Sequence, residues 1–508
     1  MINKSHMLGK LLYITTTLPY VNSDPHIGFA MEIIRADVIA RYHRSLGEEV
    51  FFNTGTDEHG AKIYENAVKS AMSPKAYVDG YAMKFKELIT LLNISDVNFI
   101  RTTDEKHILA AQAMWKRCEA RGDIYKKLYK IKYCVGCELE KTDGELIDGK
   151  CPIHTNRDVE IREEDNYFFK FSKYKTALLL YYEANPDFVI PDFRFNEIKA
   201  FVNRGLEDFS ISRIREKMPW GVPVPGDNEH VMYVWFDALT SYISTLGWPH
   251  SAPASRGAAD RDDFDFWIDG TPVQYCGKDN LRQQSAMWQA MLMSAGINNS
   301  SHIVIDGFIT SGGVKMSKSL GNVISPFDVV ERFNGLTDFP EDVLRFALLH
   351  DISSFEDGDI TMSSMEESYQ AHLANGIGNL TNRIMKMATS NGVVFSEEEA
   401  EIGLENQKVI AYEHMYKLLE KFNAKKALEY VVLLVNILDK SIQNDEPYKK
   451  VKDPVTRSQG LETISKLLVQ LYNIALNLEI FLPRTSAKIL ECIRENKMPE
   501  KPLFNRLS

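Results

Sequence analysis

Leu11-Leu12-Tyr13-Ile14-Thr15-Thr16-Thr17, followed by Leu18-Pro19-Tyr20-Val21-Asn22-Ser23-Asp24-Pro25-His26-Ile27-Gly28-Phe29, is the stretch whose reading decides the fold. A short apolar, β-branched run reads as a buried strand, and Asp24 and Pro25 read as the cap and first-turn pair of a helix running from about Ile27 to Leu46. Strand then helix repeats: Val50 to Asn53 is strand-like, and Ala61 to Ser70 and Ala76 to Leu92 carry helical spacing. That rhythm predicts an α/β domain with a doubly wound parallel sheet. His26 and Gly28 then fall at a strand's carboxyl end, beside the amino end of a helix. Free backbone N–H groups there favour an anion, glycine lets a ligand approach the backbone, and an imidazole can donate to phosphate. A nucleotide is the natural ligand, and a histidine that only caps the turn is the alternative.

Working outward, the 508-residue chain is long enough for several domains, and 44% hydrophobic with 25% charged residues exclude a collagenous, low-complexity or wholly disordered protein. Strand signals resume at Val231 to Trp235, Val273 to Cys276 and His302 to Ile305, after short strands and clustered turns. Beyond about Ser363 the spacing is helical, notably in Ala424 to Leu438 and Leu461 to Phe481. The expected division is a first half-sheet domain over 1–122, an insertion over 123–227, a second half over 228–325, a linker over 326–365 and an all-α bundle over 366–508. No apolar run approaches the ~20 residues that cross a bilayer, and the start carries no signal-peptide pattern. A formal charge of −11 excludes a global basic field, so any nucleic-acid surface is local. Charge runs such as Glu397-Glu398-Glu399 and Lys449-Lys450 read as solvated faces.

Six cysteines are too few for a disulfide framework, which points to the cytoplasm. Cys134, Cys137, Cys151 and His154 form a C-x2-C-x13-C-x2-H arrangement, which can give Zn2+ three thiolates and one imidazole. Four protein ligands leave no open position, so the expected knuckle is structural. Cys118, Cys276 and Cys492 read as small apolar fillers. Far downstream, Lys315-Met316-Ser317-Lys318-Ser319 follows Ser311-Gly312-Gly313-Val314. Two lysines three residues apart among small residues can bring ammonium groups onto a polyphosphate.

His26-Ile27-Gly28 and Lys315-Met316-Ser317-Lys318-Ser319 resemble the HIGH and KMSKS signatures of class I aminoacyl-tRNA synthetases. The second is intact; in the first, Phe29 replaces the last histidine. Leu18-Pro19-Tyr20, Thr56-Asp57-Glu58-His59-Gly60, Tyr233-Val234-Trp235-Phe236-Asp237-Ala238 and Gly277-Lys278-Asp279 resemble, in order, blocks of the methionyl-tRNA synthetase family. The resemblance implies a Rossmann-type catalytic domain with a zinc-knuckle insertion and an anticodon-binding helical bundle. It implies that Leu18, Tyr20, Trp235, Ala238, Leu239 and Tyr242 line a methionine pocket and that Asp57 holds the ammonium group. His26, Gly28, Lys315, Ser317 and Lys318 would serve ATP with Mg2+. Rings such as Trp235 and Tyr242 suit a soft thioether. Gln284 stands where some members carry a histidine, and no role is assigned to it. Asn375, Asn379 and Arg383, spaced by four on one helical face, correspond to anticodon readers, with Tyr448 after Pro447 where the family has a tryptophan. The implied activity is methionine–tRNA ligation on tRNA(Met) by a cytoplasmic monomer, since no extra tRNA-binding domain follows the bundle. A non-catalytic tRNA-binding paralogue and a class I synthetase for another amino acid are the alternatives.

Overall fold

The five residues Leu11–Thr15 are all buried, as a strand covered on both faces requires. In the computed structural model, which describes residues 9–134, 139–141, 146–152, 158–249, 262–316, 322–397 and 413–507, this strand lies mid-sheet. It pairs in parallel with Glu49–Thr56 on one side and Thr271–Gly277 on the other. Asn98–Arg101 extends the first flank and His302–Asp306 the second. The order of strands therefore reverses between Leu11–Thr15 and Thr271–Gly277, which opens a crevice at their carboxyl ends where such sheets bind ligands.

The helix Ile27–Ser45 is buried along most of its length, and three of its charged residues, Arg35, Asp37 and Arg41, are ion-paired. Arg35 meets Asp306 at 2.9 Å, while Asp37 takes Arg41 at 2.8 Å and Arg345 at 2.8 Å. Arg345 also donates to the Phe481 carbonyl at 2.7 Å, so the helix carrying Gly28 is pinned to the C-terminal helices. The expected Asp24–Pro25 start is corrected: His26 is the cap and the helix begins at Ile27. The imidazole satisfies the Gly28 N–H, the Ile27 N–H goes to the Ile324 carbonyl at 3.2 Å, and Asp24 is drawn to Lys84.

Within the expected insertion, Ile124–Cys134 and Glu160–Phe169 form a long antiparallel pair, flanked by Leu139–Lys141 and Phe209–Ser210. Val189–Ile190, from the same stretch of chain, joins the edge of the main parallel sheet beside His302–Asp306. The strand expected at Val231–Trp235 is also corrected, since the strand is Asp227–Met232 and Val234–Leu239 is helical. Its β-branched and aromatic residues mimic strand propensity, but the helical turn buries Phe236, Asp237 and Leu239 together.

Among the described residues, the C-terminal region contains Asn379–Asn391, Ala424–Asp445, Arg457–Leu478 and Pro483–Arg494. In Ala424–Asp445 the buried residues Ala424, Ala427, Leu428, Val431, Val435, Leu438 and Ile442 recur at helical spacing. No described helix is long and apolar enough to cross a membrane.

Candidate active site

The crevice encloses about 670 Å³ and is lined chiefly by residues 17–32, 234–242, 277–284 and 306–309, with Asp57, Phe85, Met316 and Val323 completing the wall. On one wall His26, in extended backbone at φ −121°, turns its ring back so that Nδ1 accepts the Gly28 N–H at 3.1 Å. An Nδ1 that accepts leaves the ring proton on Nε2. Phe29 lines the same wall, buried and edge-on to Phe85 with ring centroids 5.1 Å apart, so its contribution is apolar packing.

One end of the crevice is built around Asp57. Its backbone is bridged to Tyr20, the Asp57 N–H donating to the Pro19 carbonyl at 3.0 Å and the Val21 N–H to the Asp57 carbonyl at 3.1 Å. The carboxylate atom Oδ1 is buried without a hydrogen-bond partner. Burial first, and then the charge of nearby Asp237, hold this carboxyl well above the usual carboxylate range. An unmatched buried acid of this kind fits a cationic ligand group. Its neighbours are fully committed elsewhere. Glu58 holds Arg101 through two bonds of 2.7 and 2.9 Å. Asp237 binds His59 Nδ1 and His107 Nε2, each at 2.7 Å. Burial alone would raise Asp237, yet the two histidines outweigh it and lower its pKa to about 2. Gly60, at φ +127°, allows the close approach of Tyr20, whose hydroxyl would lie 2.6 Å from any Cβ there.

Leu18, Trp235, Ala238, Leu239 and Tyr242 line the same cavity, so the structure brings together all seven residues expected around methionine, along with His26 and Gly28. Gln284, in a π-helical turn over Gln283–Met287, lines it too and donates its side-chain N–H to the Tyr242 hydroxyl. π-turns of this kind recur at functional sites.

Sequence reading missed two acids on this wall. Glu32, one turn beyond Gly28, accepts the Thr17 N–H at 2.6 Å, and burial followed by the charge of Asp306 raises it well above the usual range. Asp306, held by Arg35, keeps its second oxygen buried without a partner. A polar residue on the apolar face of the helix Ile27–Ser45 was the available signal for Glu32.

The lysine segment is rooted in a hairpin of Ile309–Ser311 with Val314–Lys315, turned by Gly312 and Gly313 at φ +64° and +74°. Asp359 fixes that turn by accepting the Gly313 N–H at 2.7 Å. Met316 reaches the cavity wall. Ser317 and Lys318 lie outside the described residues, as does the Lys315 side chain. Of the expected zinc ligands, Cys137 and His154 and the Cys134 side chain also lie outside them, whereas Cys151 is buried beside the exposed turn at Ile147–Lys150. A buried thiol in so exposed a turn fits a donor set of three thiolates and an imidazole.

Farther away, Asn375 and Asn379 do not share one regular α-helix. Tyr369–Gly378 is π-helical with a break at Gly376, and the α-helix begins at Asn379. Arg383 is ion-paired with Asp439, and Tyr448 is exposed, its hydroxyl 3.3 Å from Glu446.

With this geometry in place, comparison with known proteins gives a consistent answer. The family model "tRNA synthetases class I (M)" matches residues 12–160 and 140–385. Methionine–tRNA ligase of Thermosynechococcus vestitus is 38% identical over 483 residues, covering 94% of this chain and 88% of that protein. The Fusobacterium nucleatum enzyme of the same name is 36% identical over 490 residues, covering 95% and 74%. A structure of Mycobacterium tuberculosis methionyl-tRNA synthetase in complex with methionyl-adenylate superposes with a TM-score of 0.86 at 32% identity, covering 98% of this chain and 100% of that one. Sequence, fold and cavity thus agree that the chain belongs to the methionine–tRNA ligase family of class I tRNA synthetases.

Proposed function

We propose that the cavity activates methionine with ATP and passes it to tRNA(Met). In the first step the methionine carboxylate attacks the α-phosphate of Mg2+-bound ATP, forming methionyl-adenylate and releasing pyrophosphate. In the second, the terminal ribose hydroxyl of tRNA attacks the adenylate carbonyl and AMP leaves. No protein side chain serves as nucleophile.

The observation that carries this reading is the buried, unpartnered Oδ1 of Asp57, which shares one cavity with the capped helix start at His26 and Gly28. Asp57 takes the substrate ammonium, and Leu18, Tyr20, Trp235, Ala238, Leu239 and Tyr242 surround the side chain. His26 donates from Nε2, and Gly28 admits the phosphate chain. Lys315 and Lys318, with Ser317, stabilise charge that grows on the phosphates in the transition state. Lys318→Ala therefore lowers the rate constant for adenylate formation more than it weakens ATP binding.

Cys134, Cys137, Cys151 and His154 would hold one structural Zn2+, whose chemistry there is to cross-link the insertion, and elemental analysis of protein purified without chelator tests for it. Asn375, Asn379, Arg383 and Tyr448 would read the anticodon. The five-part division of the chain, with the insertion over 123–227 between two catalytic halves, goes with this reading, as do a monomeric state and a cytoplasmic location. Pyrophosphate exchange measured across the amino acids is the test of function. Methionine-dependent exchange supports the reading, exchange with another amino acid points to a different synthetase, and none at all points to a non-catalytic paralogue.

A further inference from the structure

Trp220 lies outside the cavity, in the turn between the strands Ser212–Ile214 and Pro223–Val224, yet it holds the stretch of chain that follows Asp57. Its indole Nε1 donates to the Glu58 carbonyl at 2.6 Å, and its own carbonyl accepts the Gly60 N–H at 3.0 Å. Between these two bonds its ring meets the His59 imidazole, with centroids 5.6 Å apart. The turn is itself anchored. Both strands pair with Asp227–Met232, and Gly221 lies so close to that strand that a Cβ on it would meet Val231 Cβ at 3.2 Å. The Met232 N–H donates to the Val222 carbonyl at 2.7 Å, and the indole packs against the main apolar core.

A trans peptide unit is planar, so its C=O and N–H point in opposite directions and fixing one fixes the other. The unit between Glu58 and His59 accepts the Trp220 N–H at its oxygen. Its N–H, that of His59, turns back to the Asp57 carboxylate and favours the charged form. A carbonyl polarised by a donor also makes the N–H of its own unit a better donor. The unit before Glu58 is held separately, because the Glu58 N–H donates to the Thr102 hydroxyl at 2.9 Å. The side chains are engaged elsewhere, Glu58 with Arg101 and His59 with Asp237. Trp220 therefore acts on the one peptide unit whose N–H faces the acid.

Resting on the function proposed above, we infer that Trp220 positions Asp57 for the substrate ammonium by fixing the peptide unit between Glu58 and His59. Methionine affinity is then set in part from a small antiparallel sheet outside the crevice. That sheet leads through Tyr233 into the helix Val234–Leu239, which carries Trp235, Ala238 and Leu239, so two walls of the cavity share one support. Trp220 is a positioning residue, since it acts on the ligand only through Asp57.

The test reads the dissociation constants of two fragments of the substrate. L-Methioninol keeps the ammonium and lacks the carboxylate, whereas 4-(methylthio)butanoate keeps the carboxylate and lacks the ammonium. Trp220→Phe retains an aromatic ring without the donor, and Trp220→His retains a ring N–H at the place of the indole Nε1. Trp220→Phe is expected to weaken methioninol, and to raise the apparent KM for methionine, by about three- to tenfold, the span of one neutral hydrogen bond. The kcat, the KM for ATP and the affinity for 4-(methylthio)butanoate stay as in the wild type. Trp220→His recovers most of the loss, and Trp220→Phe adds nothing further in an Asp57→Asn background. Thermal unfolding checks that each variant is folded, and if Trp220→Phe is not, Trp220→Leu, which also lacks the donor, decides. Unchanged methioninol affinity in the folded variant without the donor, an equal loss for both fragments, or no recovery in folded Trp220→His overturns the positioning role. Full methioninol affinity in Asp57→Asn alone instead overturns the assignment of Asp57 on which it rests.

Discussion

The Gly28 N–H donates to Nδ1 of His26 at 3.1 Å, and a Cβ placed on Gly28 would meet Nδ1 and Cε1 of the same ring at 3.0 Å. The glycine is therefore needed twice, to hold the imidazole and to leave it room. Gly28→Ala is expected to displace the ring and slow adenylate formation by about tenfold, or ~1.4 kcal/mol of transition-state stabilisation. The melting temperature should hardly move, because Gly28 lies at the first turn of a helix anchored elsewhere. Rapid-quench measurement of adenylate formation, paired with thermal unfolding, checks both halves of the expectation.

Asp57 carries a burial cost in the unliganded protein that a bound cation would remove. Its carboxyl is raised by burial and by Asp237, so the native state binds a proton more readily than the unfolded chain does. The group's contribution to stability is thus favourable below the ordinary carboxylate pKa and is lost as pH rises through the raised value. Asp57→Asn should stabilise the unliganded protein at neutral pH. It should also lower kcat/KM for methionine by about a hundredfold, as expected when one member of a buried charge pair is removed. In the wild type, methionine affinity should weaken on acidification at a higher pH than an ordinary carboxylate would give. Isothermal titration across pH reads the shift, and an Asp57→Asn variant that binds methionine normally would take Asp57 out of the site.

Asp237 behaves in the opposite sense. Held at about 2 by His59 and His107 despite its burial, it contributes stability above the ordinary carboxylate pKa, and that contribution fades as pH falls toward 2. Asp237→Asn should cost about 2 kcal/mol at neutral pH, and the gap to wild type should narrow between about pH 4 and pH 2. Urea unfolding at several pH values provides the comparison.

The fully buried Arg345 joins Asp37, on the helix after Gly28, to the Phe481 carbonyl near the C-terminal helices. Arg345→Met should destabilise by about 3–5 kcal/mol, because it strands a buried carboxylate that Arg41 alone must then balance. Chemical denaturation measures the loss. A change below 1 kcal/mol would mean the pair adds little to the junction.

Much of this architecture is legible in local pattern, and the failures have physical causes. The Leu11 strand, the helix from Ile27 and the strands near Val50, Val273 and His302 all occur, each with ends displaced by a few residues. Asn98–Arg101 escapes notice because four residues carry too short a pattern, and the strand expected over Val231–Trp235 runs on into the helix Val234–Leu239 because Val234 and Trp235 carry strand propensity that obscures a helix set by burial. At the candidate site, the residues of the Leu18, Thr56 and Tyr233 blocks converge on one cavity. Glu32 and Asp306 do not announce themselves, because a lone acid in an apolar run gains meaning only when the fold shows what it faces. The buried hydrogen bonds of Gln274 with Gln284, of Ser300 with Gln274 and of Gln289 with Ser300 are invisible in sequence for the same reason, since each joins residues ten or more positions apart.

The central strand of the sheet has a consequence for the way the chain is made. Leu11–Thr15 needs Thr271–Gly277 as its second neighbour, so one hydrogen-bonding edge stays unsatisfied until the ribosome has synthesised everything between them. At ~5–20 residues per second that interval is on the order of ten to fifty seconds. An apolar edge exposed for so long is a template for unwanted pairing. The nascent N-terminal half should therefore be a better substrate for holding chaperones than the finished protein, and chains truncated before Thr271 should aggregate where chains extended past Asp306 do not.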